Sequence, residues 1–436
     1  MKKYLKIIIF ISLIILTVSY TYYVRPIVDD ELFNYGFAHN ILNGLIPYKD
    51  FNMIIPPLFS YLLALIIGIL GKKLLVYHIV IASFIVSITF LSYKKIGKSA
   101  IIIYILSLIY PYTGYNMFCL FLLFILLSLK ENKYSTIIES IIISCMFLSK
   151  QTLGLLVIPS IIYSKNKKKT ILVYLISICL FLLYLIINNN IYHFFDYCLF
   201  GMFDFADKNS TGIDFLFIVE CLLLIILSIA AIKTKRKDIW LILIFQIITF
   251  PIVDYYHFII SFIPVVYLAL LKFHKNIAVF ILGTTIVLSF FLSFTYMMTI
   301  NEKNFLFHYN IDNFMKGRVT YRLTPDYVFR VKETIDKYKG YRPYILGNFS
   351  YLIKLNNDMT ITKYDIINNG NMGYGGKDKY LKEIDEYCNK EKCIFVINDE
   401  EIVTKNRIQT NREILKYVQD NYYQRYSSNV FSVYTN

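Results

Sequence analysis

Charge is scarce in this sequence. Asp, Glu, Lys and Arg make up 17% of its 436 residues, where a water-soluble domain carries about 25%. Acid is scarcer still: 30 Asp and Glu stand against 45 Lys and Arg, and only 13 of those acids precede residue 300. With 57% hydrophobic residues, the composition excludes an ordinary soluble enzyme, a disordered chain, a collagen and a small disulfide scaffold. The seven cysteines have no metal-ligand spacing; Cys119, Cys145, Cys179, Cys198 and Cys221 lie in or beside apolar segments, where Cys acts as a small hydrophobe. No fixed-period repeat is present. The first segment lacks a small-x-small cleavage site. Lys2, Lys3 and Lys6 flank an apolar run that continues through Val24, so an uncleaved first span is expected rather than a signal peptide.

What is present is a series of apolar runs from residue 4 to residue 299. They predict a polytopic α-helical membrane protein. After the first run, spans are expected near 74–93, 100–114, 115–130, 136–149, 153–164, 170–188, 213–233, 238–253, 257–272 and 276–299. Turns at Pro111–Asn116 and Ser149–Thr152 divide 100–130 and 136–164; if each pair were one long helix the count would fall from eleven to nine. The net charge of +15 does not signal nucleic acid, because the lysines sit in short clusters between the runs, as in cytoplasmic loops. With the N-terminus inside, 18 Lys and Arg of the membrane part fall on the cytoplasmic side and six outside. The condition is that 54–71 does not span. That stretch opens with Ile54-Ile55-Pro56-Pro57, which leaves Leu58–Leu70 as a helix too short to cross, and an interfacial helix is expected. Residues 300–436 hold 38 of the 75 charged residues and turn signals such as Asn368–Asn371. They predict a soluble domain following a membrane domain of 1–299, placed outside the cell membrane by either span count. Stretches 326–338, 377–388 and 410–420 read as helices, 344–346 and 393–397 as strands, giving a small α/β fold. Cys388 and Cys393 are there either bonded or as two thiols.

In this topology the acids of the membrane part gather outside: Asp29, Asp30, Glu31, Asp50, Asp196, Asp204, Asp207, Asp214 and Asp254. Drawing lysines inward explains part of this bias but not the cluster Asp29-Asp30-Glu31 that opens the first outer loop, 25–73. Three adjacent carboxylates raise one another's pKa. One could act as a general base toward a hydroxyl, and together they could hold a divalent cation. A solvated loop start would look the same locally.

The wider loop says more. Asp30-Glu31 is followed by Ala38, by Gly44-Leu45-Ile46-Pro47-Tyr48 and by Pro57-Leu58-Phe59-Ser60-Tyr61. This order resembles the first outer loop of the GT-C glycosyltransferase superfamily, in the branch of protein O-mannosyltransferases and lipid A aminoarabinose transferases. Leu148–Leu155 looks like that family's short outer turn with a lysine, and Phe250–His257 like a later boundary motif. Asp29 and Gly36 are not part of the pattern, and residues 300–436 match no motif.

The resemblance implies transfer of a sugar from a polyprenyl-phosphate carrier to a glycan, lipid or protein acceptor outside the membrane. Asp30 matches the family's catalytic acid, with Glu31 and Asp29 in support. Arg25, Lys72, Lys73 and Lys150 are cations suited to the carrier phosphate. Asp254 and His257 form a candidate substrate pair. Lys72 and Lys73 read equally well as snorkelling anchors, and His257 as an interfacial His with a counter-charge. Glu220, inside a span, is a functional candidate by position. A glycan polymerase or ligase would place its key residues in a late loop. A lipid-linked glycan flippase would show two similar halves and charges in mid-span. A non-catalytic scaffold is the remaining alternative.

Overall fold

Backbone polar groups find no partner in hydrocarbon, so apolar runs of this kind fold as helices. The structure, a computed structural model, describes residues 2–25, 27–201, 215–250, 254–272, 306–309, 314–321, 324–346, 350–363, 365, 372–374, 376–398, 412–428 and 431–436. The first part contains α1 (Lys2–Tyr23), α2 (Asp29–Leu42), α3 (Leu58–Leu70), α4 (Leu74–Ile96), α5 (Ala100–Ile109), α6 (Gly114–Ser128) and α7 (Ser135–Phe147). It continues with α8 (Val157–Tyr163), α9 (Lys167–Ile187), α10 (Ile191–Phe195), α11 (Phe215–Thr234), α12 (Lys237–Phe245) and α13 (Tyr255–Lys272). Tight helical turns at Gln151–Leu156 and Gln246–Thr249 lead into α8 and follow α12. The expected span at 276–299, the turn at 368–371 and the acids Asp204, Asp207 and Asp214 lie outside the described residues.

Among the described residues, five helical stretches are long and apolar enough to cross a membrane: Tyr4–Tyr23, Leu74–Ile109, Lys167–Ile187, Leu216–Thr234 and Tyr255–Lys272. The second is not one rod. A straight helix of its 36 residues would be about 54 Å long. Yet the Tyr77 hydroxyl donates to the carbonyl of Tyr112, beyond the far end. The chain reverses at Gly97, whose φ of +58° suits a residue without Cβ. It reverses again at 110–113, since Phe84 of α4 stacks on Phe121 of α6 while Gly114 lies against Tyr77. The turn expected at Ser149–Thr152 is also present, and Lys150 returns to Asn116 at the start of α6. Each of these pairs is therefore two short helices rather than one long one.

The alternation separates charge. Lys165 pairs with Glu131, and Lys237 with Glu139, at one end of the bundle. Tyr112, Asn116 and Lys150 stand at the other end. The helices ending there are short, so those turn residues are buried rather than raised above the bundle.

The first loop is mostly helix. Its α3 is the segment expected after Pro56-Pro57, and Leu58 N–H donates to the carbonyl of Leu148 at 3.0 Å. Between α2 and α3, Gly44 and Tyr48 take positive φ values of +83° and +70°. Asp50 accepts from Ile46 N–H at 2.7 Å, and the Tyr48 hydroxyl donates to the carbonyl of Ile55 at 2.8 Å.

The C-terminal part contains β1 (Leu306–Tyr309), β2 (Arg318–Tyr321), α14 (Thr324–Lys337), β3 (Arg342–Leu346), α15 (Ser350–Asn356), α16 (Gly376–Cys388), β4 (Cys393–Asn398), α17 (Arg412–Asn421), β5 (Tyr423–Ser427) and β6 (Phe431–Thr435). The main sheet runs β3-β4-β6-β5, with β3 and β4 parallel and the other pairs antiparallel. Its alternating residues bury two faces. Tyr344, Leu346, Phe395 and Ile397 meet Ile384 and Val418 of α16 and α17. Ile345, Ile394, Val396 and Val433 join the core shared with the helix bundle. Cys388 and Cys393 are disulfide-bonded.

Helix α2 lies between bundle and sheet. Asn40 exchanges two hydrogen bonds with the backbone of Ile361, at 2.6 and 2.8 Å. A Cβ on Gly36 would strike Ile361 Cδ1 and come within 2.9 Å of Tyr351, which accounts for a glycine in mid-helix. Gly36→Val should therefore destabilise the protein by about 1–3 kcal/mol, the usual cost of overpacking, read as a lowered melting temperature and faster proteolysis of 306–436. For orientation, cysteines at Lys49 and Lys339 should react with an impermeant thiol reagent on intact cells, and one at Lys168 should not. All three positions are exposed. Labelling at 168 alone would reverse the topology.

Candidate active site

Acidic residues suit the first turn of a helix, where unpaired N–H groups point outward. Asp29, Asp30 and Glu31 fill that turn of α2. A helix, however, points successive side chains about 100° apart. Glu31 is fully buried. Its Oε1 accepts from Val28 N–H at 3.1 Å, and Oε2 lies 2.7 Å from His78 Nε2 on α4. Asp30 turns elsewhere and accepts a 2.5 Å hydrogen bond from the Tyr110 hydroxyl. Asp29 is half-buried. The three carboxylates thus do not converge as a metal site would require. Among the described residues no three His, Cys, Asp or Glu side chains do so.

Around Asp30 four other segments meet. Tyr110 stacks on Tyr256 with ring centroids 3.8 Å apart. Next to Tyr256, Asp254 sits at the start of α13, accepting from His257 N–H and lying 2.8 Å from His257 Nδ1. Arg25 donates to the carbonyl of Ile109 at 3.0 Å and to the Tyr20 hydroxyl at 3.2 Å, which ties the end of α1 to the Tyr110 turn. Lys150 is buried and donates to Asn116 Oδ1 at 3.2 Å and to the carbonyl of Ile248 at 2.8 Å. Its ammonium lies 5.6 Å from the centre of the Tyr115 ring.

These surroundings set the charges. Burial raises the pKa of Asp30; the Tyr110 hydrogen bond and His257 oppose that, while Asp254 and Glu31 add to it. A carboxylate shifted upward is a better proton acceptor at neutral pH. Burial also acts to raise Asp254, but His257 outweighs it and leaves the group below the usual carboxylate value. Burial pushes Lys150 down to about 8, against the attraction of Asp254.

The structure therefore gathers Asp30, Arg25, Lys150, Asp254 and His257 at one end of the bundle. It does not bring Lys72 there: Lys72 binds Asp358 and Asn43 beneath the C-terminal sheet domain. Lys73 is exposed at the start of α4. Glu220 is buried beside Thr249, whose hydroxyl donates to it at 3.3 Å. Sequence reasoning missed His78, Tyr110, Asn116 and Tyr256. A lone histidine inside an apolar run was the available signal for His78; the tyrosines gave none among 39.

No protein-family model matches the sequence, and no curated protein is similar to it in sequence. Two solved structures resemble its fold. ArnT from Cupriavidus metallidurans, in its apo state, matches over 100% of this chain and 98% of its own, with a TM-score of 0.56 and 10% identity. An oligosaccharyltransferase of Archaeoglobus fulgidus, solved with Zn and sulfate, matches over 89% and 68%, with a TM-score of 0.45 and 12% identity; this second likeness is loose. The fold expected from the first outer loop is thus borne out as a fold: helix bundle and C-terminal domain together share the architecture of that ArnT structure.

Proposed function

We propose that the chain is a membrane glycosyltransferase that takes a sugar from a polyprenyl-phosphate carrier and transfers it to an extracytoplasmic glycan, lipid or protein acceptor. One observation carries this reading. Asp30, raised in pKa and half-buried, shares one end of an apolar bundle with the buried cation Lys150. That juxtaposition is what such a transfer needs. The acceptor oxygen forms a bond to the sugar's anomeric carbon, and its proton passes to Asp30. The bond from that carbon to the phosphate oxygen breaks, and the lipid phosphate leaves. Lys150 and Arg25 supply the positive charge that stabilises it. The lipid tail takes the apolar surface between helices.

The surroundings support the same assignment. Asp254 and His257 stand near enough to Asp30 to act on its charge, so they suit the sugar hydroxyls. The C-terminal domain, held over α2 by Asn40 and by the His39–Asp358 pair at 2.7 Å, suits acceptor binding or exclusion of water. A disulfide persists in oxidising surroundings, in keeping with a domain outside the cell membrane. The partners are the lipid-linked donor, the acceptor and membrane lipids, with no role for nucleic acid.

The direct test is donor turnover by purified protein over a panel of polyprenyl-phosphate sugars; consumption of none of them would overturn the proposal. Asp30→Asn keeps the side-chain size but cannot take the proton, so turnover should fall about 10²–10⁴-fold with the fold intact, and Asp29→Asn should cost less. Near-normal turnover in both would remove the first-turn acids from the reaction. The charged form of Lys150 is the one that binds phosphate, and it is lost as pH rises through about 8. Donor KM should therefore climb above that pH. Lys150→Met should show a high KM with little pH dependence; an unchanged KM profile would take Lys150 out of the donor site.

A further inference from the structure

Beside the proposed base, a carboxylate and an imidazole are buried against each other where the reaction does not reach. Glu31 is fully buried and His78 nearly so. They lie on different helices, 2.7 Å apart between Oε2 and Nε2. The other carboxylate oxygen is held by Val28 N–H, so the group is fixed at both ends. On the far side of the imidazole, Nδ1 lies 3.0 Å from the Thr21 hydroxyl of α1. That oxygen is able to accept a proton donor, so the ring has room for protons on both nitrogens. The ring also packs edge-on against Tyr22, Tyr77 and Tyr112. An ionised carboxylate in such a place needs a counter-charge.

From this geometry we infer that His78 is a positioning residue: as an imidazolium it neutralises Glu31, fixes the first turn of α2 and shields Asp30 from the adjoining negative charge. Asp30 immediately precedes Glu31 and feels it. The other groups facing Asp30 are Asp254, His257 and Tyr110, with Tyr77, Tyr115 and Tyr256 also within its field. His78 acts on none of the reacting atoms; it acts through Glu31. The inference about turnover rests on the transferase reading, whereas the protonation state of His78 does not.

Two measurements separate the cases. In ¹⁵N-histidine spectra of the full chain in lipid, with His78 assigned by its loss in His78→Gln, the ring should be an imidazolium at pH 7. A neutral ring overturns the inference whether or not the protein turns over any donor. For an active wild type, the acid limb of kcat/KM reports the base in free enzyme. His78→Gln leaves Glu31 uncompensated, so that limb should move up by about one pH unit. Glu31→Gln/His78→Gln removes both charges and should return it to the wild-type position. His78→Lys, which keeps a cation, should leave it unmoved. An unshifted limb in His78→Gln, or a shifted limb in the double variant, would reduce His78 to a packing residue. If His78→Gln does not fold, the lysine and double variants carry the same comparison, and a limb displaced in either one overturns it. Failure of the wild type to consume donor would instead count against the transferase reading alone.

Discussion

The reciprocal pair of hydrogen bonds between Asn40 and the backbone of Ile361 is the contact on which the remaining geometry leans. A side-chain amide that both donates to and accepts from one residue fixes distance and register together. It holds α2 against the C-terminal domain, while Glu31 at the other end of α2 holds it against α1 and α4 through His78. A helix of 14 residues is thus clamped at both ends by polar contacts, with Gly36 allowing close approach between them. Asp30 is carried on that clamped helix. Its position is consequently a property of the whole assembly and not of a surface loop.

Electrostatics explains why the clamp is built from buried groups. Charges removed from water interact more strongly, and at this end of the bundle carboxylates are each set against a basic side chain: Glu31 against His78, Asp254 against His257. Lys354 and Asp365 repeat the pattern inside the C-terminal domain, 2.6 Å apart. Asp30 and Lys150 do not follow it. Asp30 takes its hydrogen bond from a neutral tyrosine, and Lys150 gives its bonds to an amide and a carbonyl. Asp30 and Lys150 are thus bonded to neutral partners, which leaves each charge open to a ligand.

Much of this was legible in the sequence because it depends on local pattern. The break at Pro56-Pro57 fixed the start of α3, and the turns near Pro111 and Ser149 marked real reversals. Strands at 344–346 and 393–397 and the three amphipathic helices of the C-terminal domain were found close to their observed limits. The order of residues in the first loop gave the fold that the ArnT likeness supports. What escaped was whatever depends on direction or distance. Asp29, Asp30 and Glu31 read as one acidic cluster because sequence adjacency hides the rotation between successive helical residues. Lys72 read equally as a phosphate ligand or a snorkelling anchor because its partner Asp358 lies 286 residues away. His78 was one polar residue in an apolar run, with its partner on another helix. The strands β5 and β6 and the small β1-β2 pair carried too weak an alternation to stand out.

The hairpin at Gly97 also bears on how the chain enters the membrane. Helix α5 has ten residues, about 15 Å of rise, against a hydrocarbon thickness of about 30 Å. Alone it would leave helix ends and their unpaired carbonyls in lipid. Its neighbours cover it: α4, reversed at the Lys94, Lys95 and Lys98 cluster, lies along it, and α6 follows after four residues. In a bilayer the stretch from Leu74 to Ser128 therefore has to be accommodated as one unit. A cleavable or slow-inserting boundary placed inside it would strand a helix that has no stable residence of its own.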